Sequence, residues 1–456
     1  MPAPDVAALL AELERSEPDY VEDARTAVEW LTGGEPLETV TQLDVCEFLW
    51  YTLPIKVSGD ERAHKAVAAA LSRLLTLGGL DRYAAMCRSH TTANILHAYA
   101  RSGEEAGIAA YRAALDATGV LPPDVADLRW SSIMGPEELG AHLACSAALE
   151  LAIVSGALEV GSPSWKAHRE ALTRRWLTEP RAELGGDNWL HRVHGERLNR
   201  WVLGRGAARR ELAQPFEVRL HAPVPLPPGE HLAPLRWLLD RAAEPGGLTL
   251  TRRHNLSRAL SVEAAQAFGW AAGGSPRGEA DVPPLSALRE AATGEMGALR
   301  RTGRRLLLTA EGTELMGDPG RMWDAVAAAL LAPAEGERDF EVSAREAALL
   351  ILADGATVTV TGLRERVAEV VTGEGWRSAT APATATARGD ELDVPLTGLL
   401  RRLTAFGLGP VMELDAEEPS IRLTANGRAA ALAALRAHAL RPRKYVSLGV
   451  ITRPRG

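Results

Sequence analysis

Leu308-Thr309-Ala310-Glu311-Gly312 returns, little changed, as Leu423-Thr424-Ala425-Asn426-Gly427. Each copy follows a basic or polar hairpin and precedes a helix. Ahead of the later copy, Val411-Met412-Glu413-Leu414 and Ile421-Arg422-Leu423-Thr424 flank the polar turn Asp415 to Pro419, a hairpin in the position of a wing. Further back, Ser343 opens a helix through Ala353, and the turn at Asp354-Gly355 leads into the β-like run Thr357-Val358-Thr359-Val360-Thr361. A second helix follows over Leu363 to Val371. The third, Val394 to Phe406, carries Leu396, Leu399, Leu400, Leu403 and Phe406 on its inner face and ends at Gly407. Helix, strand, helix, helix, hairpin, helix is the order of a winged helix-turn-helix, whose third helix can enter a major groove.

The earlier copy has the same ending. Its helix is expected over Leu285 to Leu299, and its hairpin turn is Arg300-Arg301-Thr302-Gly303-Arg304-Arg305, four charges in six residues with no acid. The run Leu248-Thr249-Leu250-Thr251, followed by Arg252-Arg253-His254-Asn255, supplies a further short strand.

Upstream the pattern changes. Six prolines, Pro215, Pro223, Pro225, Pro227, Pro228 and Pro234, fall between Gln214 and Pro234, which suits an extended linker and no helix. From Asp5 to about Arg210 apolar residues recur at three- and four-residue spacing between Gly/Pro breaks. Thr41 followed by Asp44 reads as a helix start, with Val45, Phe48, Leu49 and Leu53 on one face and Pro54 as the stop. Tyr99 and Ala109 to Leu115 resemble one tetratricopeptide fragment without its period, and two adjacent helices of a bundle explain the same residues.

The fold class is therefore mainly α: a helical N-terminal domain followed by tandem winged-helix-like units with small β-hairpin wings. The expected divisions are a helical domain over 1–213, a proline-rich linker over 214–234, a winged-helix-like pair over 235–332, a winged-helix-like domain over 341–440 and a basic tail over 441–456. The stretches Ala272 to Pro284 and Gly373 to Asp390 read as loops.

Composition fits this. The 456 residues are 46% hydrophobic and 24% charged, the balance of a globular chain with room for about three domains. Only four of the basic residues are lysine, a composition that suggests a GC-rich bacterial genome. Twelve acids and two bases fall within residues 1–50, so the net charge of −8 is an N-terminal property and a local basic face remains open to the rest. Cys46, Cys87 and Cys145 stand singly, which fits a reducing compartment. The start lacks the pattern of a signal peptide, and the apolar stretch Leu143 to Val160 is interrupted by polar residues, so a cytoplasmic, non-membrane protein is expected.

Pro234-Leu235-Arg236-Trp237-Leu238-Leu239, the Leu248 to Thr251 run, and Leu306 to Gly312 followed by Pro319 and Trp323 resemble the C-terminal region of actinobacterial proteins of the plasmid pRiA4b ORF-3-like family. The resemblance covers about 100 residues. It departs from the family where Arg252-Arg253-His254-Asn255 replaces a Gly- and Pro-marked turn. It implies tandem winged-helix-like units and leaves activity open.

Arginine suits guanine edges and phosphates. The candidate nucleic-acid contacts are Arg401 and Arg402 on the expected solvent side of the third helix, Arg300, Arg301, Arg304 and Arg305 in the earlier hairpin, and Arg252 and Arg253 before it. The basic tail reads either as a nucleic-acid arm or as a disordered terminus. His191 and His194 have a helical spacing, but no Cys or Glu completes a metal set. P-loop, dinucleotide and Gly-x-Ser-x-Gly patterns are absent from the sequence. The expectation is a non-enzymatic regulator or accessory protein without cofactor or metal, binding double-stranded DNA through its C-terminal modules and a protein or signal through its helical N-terminal domain. The alternative is a scaffold whose winged-helix units dock a protein.

Overall fold

The computed structural model describes residues 5–228, 231–270, 274–334, 336–376, 389–413 and 419–443. The turn Asp415 to Glu418, most of the Gly373 to Asp390 loop and the tail from Lys444 lie outside the described residues. The described residues are mainly helical with two small antiparallel sheets. It divides into a first unit of residues 1–193 and 442–456 and a second of residues 194–441.

The first unit is built from α1 (Val6–Ser16), α2 (Val21–Thr32), α3 (Gln42–Glu47), α4 (Glu61–Leu77), α5 (Asp81–Cys87), α6 (His90–Ser102), α7 (Glu104–Thr118), α8 (Pro136–Val154) and α9 (Trp165–Thr178). Leu13, Ala24, Leu49, Leu53, Leu71, Leu74 and Leu75 form its main core, and a smaller cluster joins Val125, Ala141, Cys145 and Leu177. Thr41 and Asp44 make the expected reciprocal cap: Thr41 N–H donates to Asp44 Oδ2 at 2.8 Å. Pro54 does not stop the helix there. A widened π turn over Phe48–Thr52 leads into a further turn, Leu53–Lys56, whose first residues leave the missing proline N–H without consequence. The tetratricopeptide-like residues lie on the packed neighbours α6 and α7. Buried Glu150 of α8 accepts from Gln42 N, Arg82 Nη1 and Tyr83 OH, each at 2.7 Å, which ties α8 to α3 and α5.

The chain passes from one unit to the other within α10 (Trp189–Leu203). The sequence places that division at 214–234; instead, Ala213 of α11 (Ala207–Ala213), Phe216, Leu220 of the short helix Glu217–His221, and Leu232 all enter the core of the second unit. Pro215 is accommodated because it stands in the first turn of a 3-10 segment, where no N–H is needed.

Thereafter one element order occurs twice. The first copy is α12 (Ala233–Ala243), β1 (Leu248–Thr249), α13 (Arg258–Ala267), α14 (Pro283–Thr293), β2 (Leu299–Thr302) and β3 (Arg305–Leu308), followed by α15 (Ala310–Gly317) and α16 (Pro319–Leu330). Residues 235–332 thus hold this order once and not as a pair. The second copy is α17 (Asp339–Ala353), β4 (Val358–Thr359), α18 (Val360–Gly373), α19 (Gly389–Ala405), β5 (Val411–Glu413), β6 (Ser420–Arg422) and α20 (Ala425–Ala439). The sheets have the equivalent orders β1-β3-β2 and β4-β6-β5, with Leu248 opposite Leu306 in one and Val358 opposite Ile421 in the other.

Several expected boundaries move. α17 starts at Asp339, four residues before Ser343, because Glu341 reaches back to the Arg338 N–H as a cap. The helix expected over Leu285 to Leu299 ends at Thr293, and Leu299 begins β2.

The repeated pentapeptide has a physical reason. Thr309 Oγ1 accepts from Gly312 N, and Thr424 Oγ1 from Gly427 N, both at 3.0 Å, so each threonine caps the helix after its hairpin. Each glycine lies against a main-chain carbonyl, of Ala298 or Leu408, where a Cβ would crowd the oxygen. One continuous core carries both copies, including Leu285, Leu306, Leu349, Leu399 and Leu435.

Candidate nucleic-acid interface

The structure separates the candidate arginines into two places. Pairing of β1 with β3 sets Thr249 opposite Arg305, and beyond it Leu250 N donates to Arg304 O at 2.8 Å. The next turn, Thr251 to Asn255, is closed by Thr251 N to Asn255 O at 2.8 Å and Asn255 N to Thr251 Oγ1 at 3.1 Å. Leu250 bridges Leu256, whose N–H is held by the buried carboxylate of Glu279. The turn carrying Arg252-Arg253 is thereby set beside the β2–β3 hairpin, whose turn is Gly303-Arg304 alone and not the whole of Arg300 to Arg305 as the sequence suggests: Arg300 and Arg301 lie on β2 and Arg305 on β3. Gly303, at φ 59°, makes the reversal between β2 and β3. His254 takes φ 60°, a conformation uncommon for a residue with a Cβ, at the tip of the other turn.

All six of these arginines are exposed. Arg300 and Arg305 share one face of the hairpin with Leu307, and alternation puts Arg301 on the other. Arg304 Nε and Nη2 donate to the Leu250 carbonyl at 3.2 and 3.1 Å, and Arg305 donates to that of Gly246, which fixes their stems and leaves their charge uncompensated. Among the described residues none of the six forms an ion pair with a carboxylate. Elsewhere in this unit Arg241, Arg289, Arg321 and Arg338 are each paired with glutamate. A concentration of unneutralised guanidinium groups attracts anions.

The other two candidates behave differently. Arg401 is exposed on α19. Arg402 is largely turned inward: Nη1 donates to Ala332 O at 2.7 Å and to Leu330 O at 3.3 Å, at and just past the end of α16. The sequence pattern misassigns it because Arg402 follows Arg401 by 100° around the helix, which turns it onto α16. Arg345 and Arg441 meet the same helix end, through Ala332 O at 3.0 Å and Ala328 O at 2.6 Å. Helix C-termini attract cations because their last carbonyls lack partners. Burial pulls the Arg345 guanidinium down to about 10. Arg441, the first residue of the expected tail, is thus part of the second unit's packing.

A second charged cluster is wholly internal. Arg209, 1% exposed at its side chain, reaches Glu374 Oε1 at 2.6 Å and Glu346 Oε2 at 2.8 Å, and donates to Ser343 Oγ at 2.7 Å. Arg205 and the indole of Trp201 also meet Glu346, whose carboxyl stays below its ordinary range through Arg209 and His438 despite burial. This cluster binds α10 and α11 to α17 and is structural. His191, the metal candidate of the first unit, pairs with Asp187 at 2.9 Å, and no group of three or more metal-ligating side chains occurs among the described residues. No helix among them is long and apolar enough to cross a membrane. No protein-family model, curated protein or solved structure matches the chain.

Proposed function

We propose that the second unit is a tandem of winged-helix-like modules that binds double-stranded DNA through the arginine-bearing hairpin and turn of its first module, with the helical first unit serving a protein partner or signal. The protein is on this reading a non-enzymatic regulator or accessory factor. One observation carries it: the β1–β3 and β2–β3 pairings bring Arg252, Arg253, Arg300, Arg301, Arg304 and Arg305 to one end of a three-stranded sheet, with no carboxylate partner among the described residues. The repeated element order and matching sheet orders support the winged-helix reading. Replacing Arg252, Arg253, Arg300 and Arg301 together with alanine tests it, since none of the four supports the fold. Salt-dependent duplex binding should be strong at about 50 mM salt and collapse in the variant, with the salt slope reduced by about 0.9 per lost phosphate contact. Wild-type protein without salt-sensitive binding overturns the reading.

The scaffold reading has its own observation. Leu139, Leu143, Ala147, Leu151 and Val154 form an exposed apolar stripe along α8, with Leu151 66% and Val154 61% exposed. A stripe of this spacing fits an apolar helix of a partner protein. Stoichiometric, nuclease-resistant capture of one protein that Leu143→Glu with Leu151→Glu abolishes would favour it.

A further inference from the structure

We infer that the duplex is gripped by its phosphates without regard to base sequence, because the helix that would read bases in each copy is used to pack against the other copy. This rests on the DNA reading of the arginine-bearing hairpin and turn. α14 and α19 are the third helices of the two copies, and they pack against each other. On α14, Leu285, Leu288 and Ala292 are buried. Its one base, Arg289, is turned onto buried Glu279 at 2.6 Å, and its exposed residues are Pro283 and Glu290. On α19, Leu392, Leu396, Leu399 and Leu403 are buried, and the described residues left facing solvent are Asp393, Val394, Thr397 and Arg401. Asp393 is paired with Arg364 at 2.6 Å, and Arg402 is committed to main-chain carbonyls.

A helix that reads a major groove presents several donors near its N-terminus to base edges. Among their described residues these two present one free guanidinium, Arg401, in the last two turns of α19, where the helix dipole is negative and opposes phosphate approach. The charge available to DNA is on the β2–β3 hairpin and the turn after β1. Those segments contain no Phe, Tyr or Trp on which an unpaired base could stack, so the grip is for a duplex and not for a single strand.

The test is selection with the full chain from a duplex library randomised over one to two helical turns (~10–20 base pairs), with a single-stranded library in parallel. The expected result is retention of duplex with no position fixed to one base, weaker retention of single strand, and binding unchanged by Arg401→Ala but weakened alike for all sequences by Arg300→Ala with Arg301→Ala. A recovered motif with fixed positions, lost in Arg401→Ala, overturns the inference while leaving DNA binding intact. Failure to retain any duplex at about 50 mM salt overturns the DNA reading itself.

Discussion

Arg402 Nη1 lies 2.7 Å from the Ala332 carbonyl oxygen, while its neighbour Arg401 is exposed. Two adjacent arginines of one helix therefore have unrelated duties. Arg402→Ala should lower stability by about 1.5–3 kcal/mol, the range for hydrogen bonds from a charged donor. Arg401→Ala should change it by no more than about 0.5 kcal/mol. Urea denaturation of the two single variants measures both, and equal midpoints would show that the helix-end contact contributes nothing.

Arg209 is the internal counterpart. Removing one partner of a buried ion pair leaves the other uncompensated, so Arg209→Ala should cost about 3–5 kcal/mol. Arg209→Lys should recover only part of this, because an ammonium cannot span Glu374, Glu346 and Ser343 as the planar guanidinium does. Full recovery by lysine would assign the effect to charge alone.

His438 should make the second unit acid-sensitive. Burial holds its imidazole down to about 4, against the pull of Glu346. The unfolded chain takes up that proton near 6.5. Between these values the unfolded state binds more protons, so stability is lost as pH falls from about 6.5 towards 4, at up to about 1.4 kcal/mol per pH unit. His142, held down to about 4 by burial, does the same in the first unit. Denaturant midpoints measured across this window should be flatter in His438→Gln, and an unchanged slope would count against the assignment.

The three thiols should be inert in the folded protein. Cys46, Cys87 and Cys145 are buried, and burial pushes the Cys87 and Cys145 thiols up to about 12 and Cys46 higher still. A thiol reagent at neutral pH should modify none until denaturant is added. Rapid modification of the native chain would contradict the packing.

A fragment ending at residue 213 should be poorly soluble. It would carry Leu198, Trp201, Val202 and Ala213 without the core that buries them. A monomeric, cooperatively unfolding 1–213 fragment would place the division where the prolines are.

The sequence made some of this legible and hid the rest for physical reasons. Thr309, Thr424 and the Thr41–Asp44 pair could be read because a cap is a local device whose partners lie three residues apart. Both hairpins were readable from a charged or polar turn next to short β-like runs, over Arg300 to Leu308 and Val411 to Thr424. The prolines after Gln214 misled because proline weight says nothing of what Phe216 and Leu220 pack against. The six arginines of the hairpin and the turn beside it were identifiable singly, but their meeting depends on the Thr249–Arg305 register, a contact across more than fifty residues. Arg402 was out of reach, since its carbonyl partners belong to the other copy.

The α14–α19 contact joins two copies of one design inside a single polypeptide. A pair assembled from separate chains would come apart on dilution, whereas tethered partners see each other at a fixed effective concentration. The tether also frees the copies from symmetry. In a homodimer every substitution appears twice, on both binding edges. Here the first hairpin can gather Arg300, Arg301, Arg304 and Arg305 while the second runs Val411-Met412-Glu413, so the assembly has a charged end and an end without that charge.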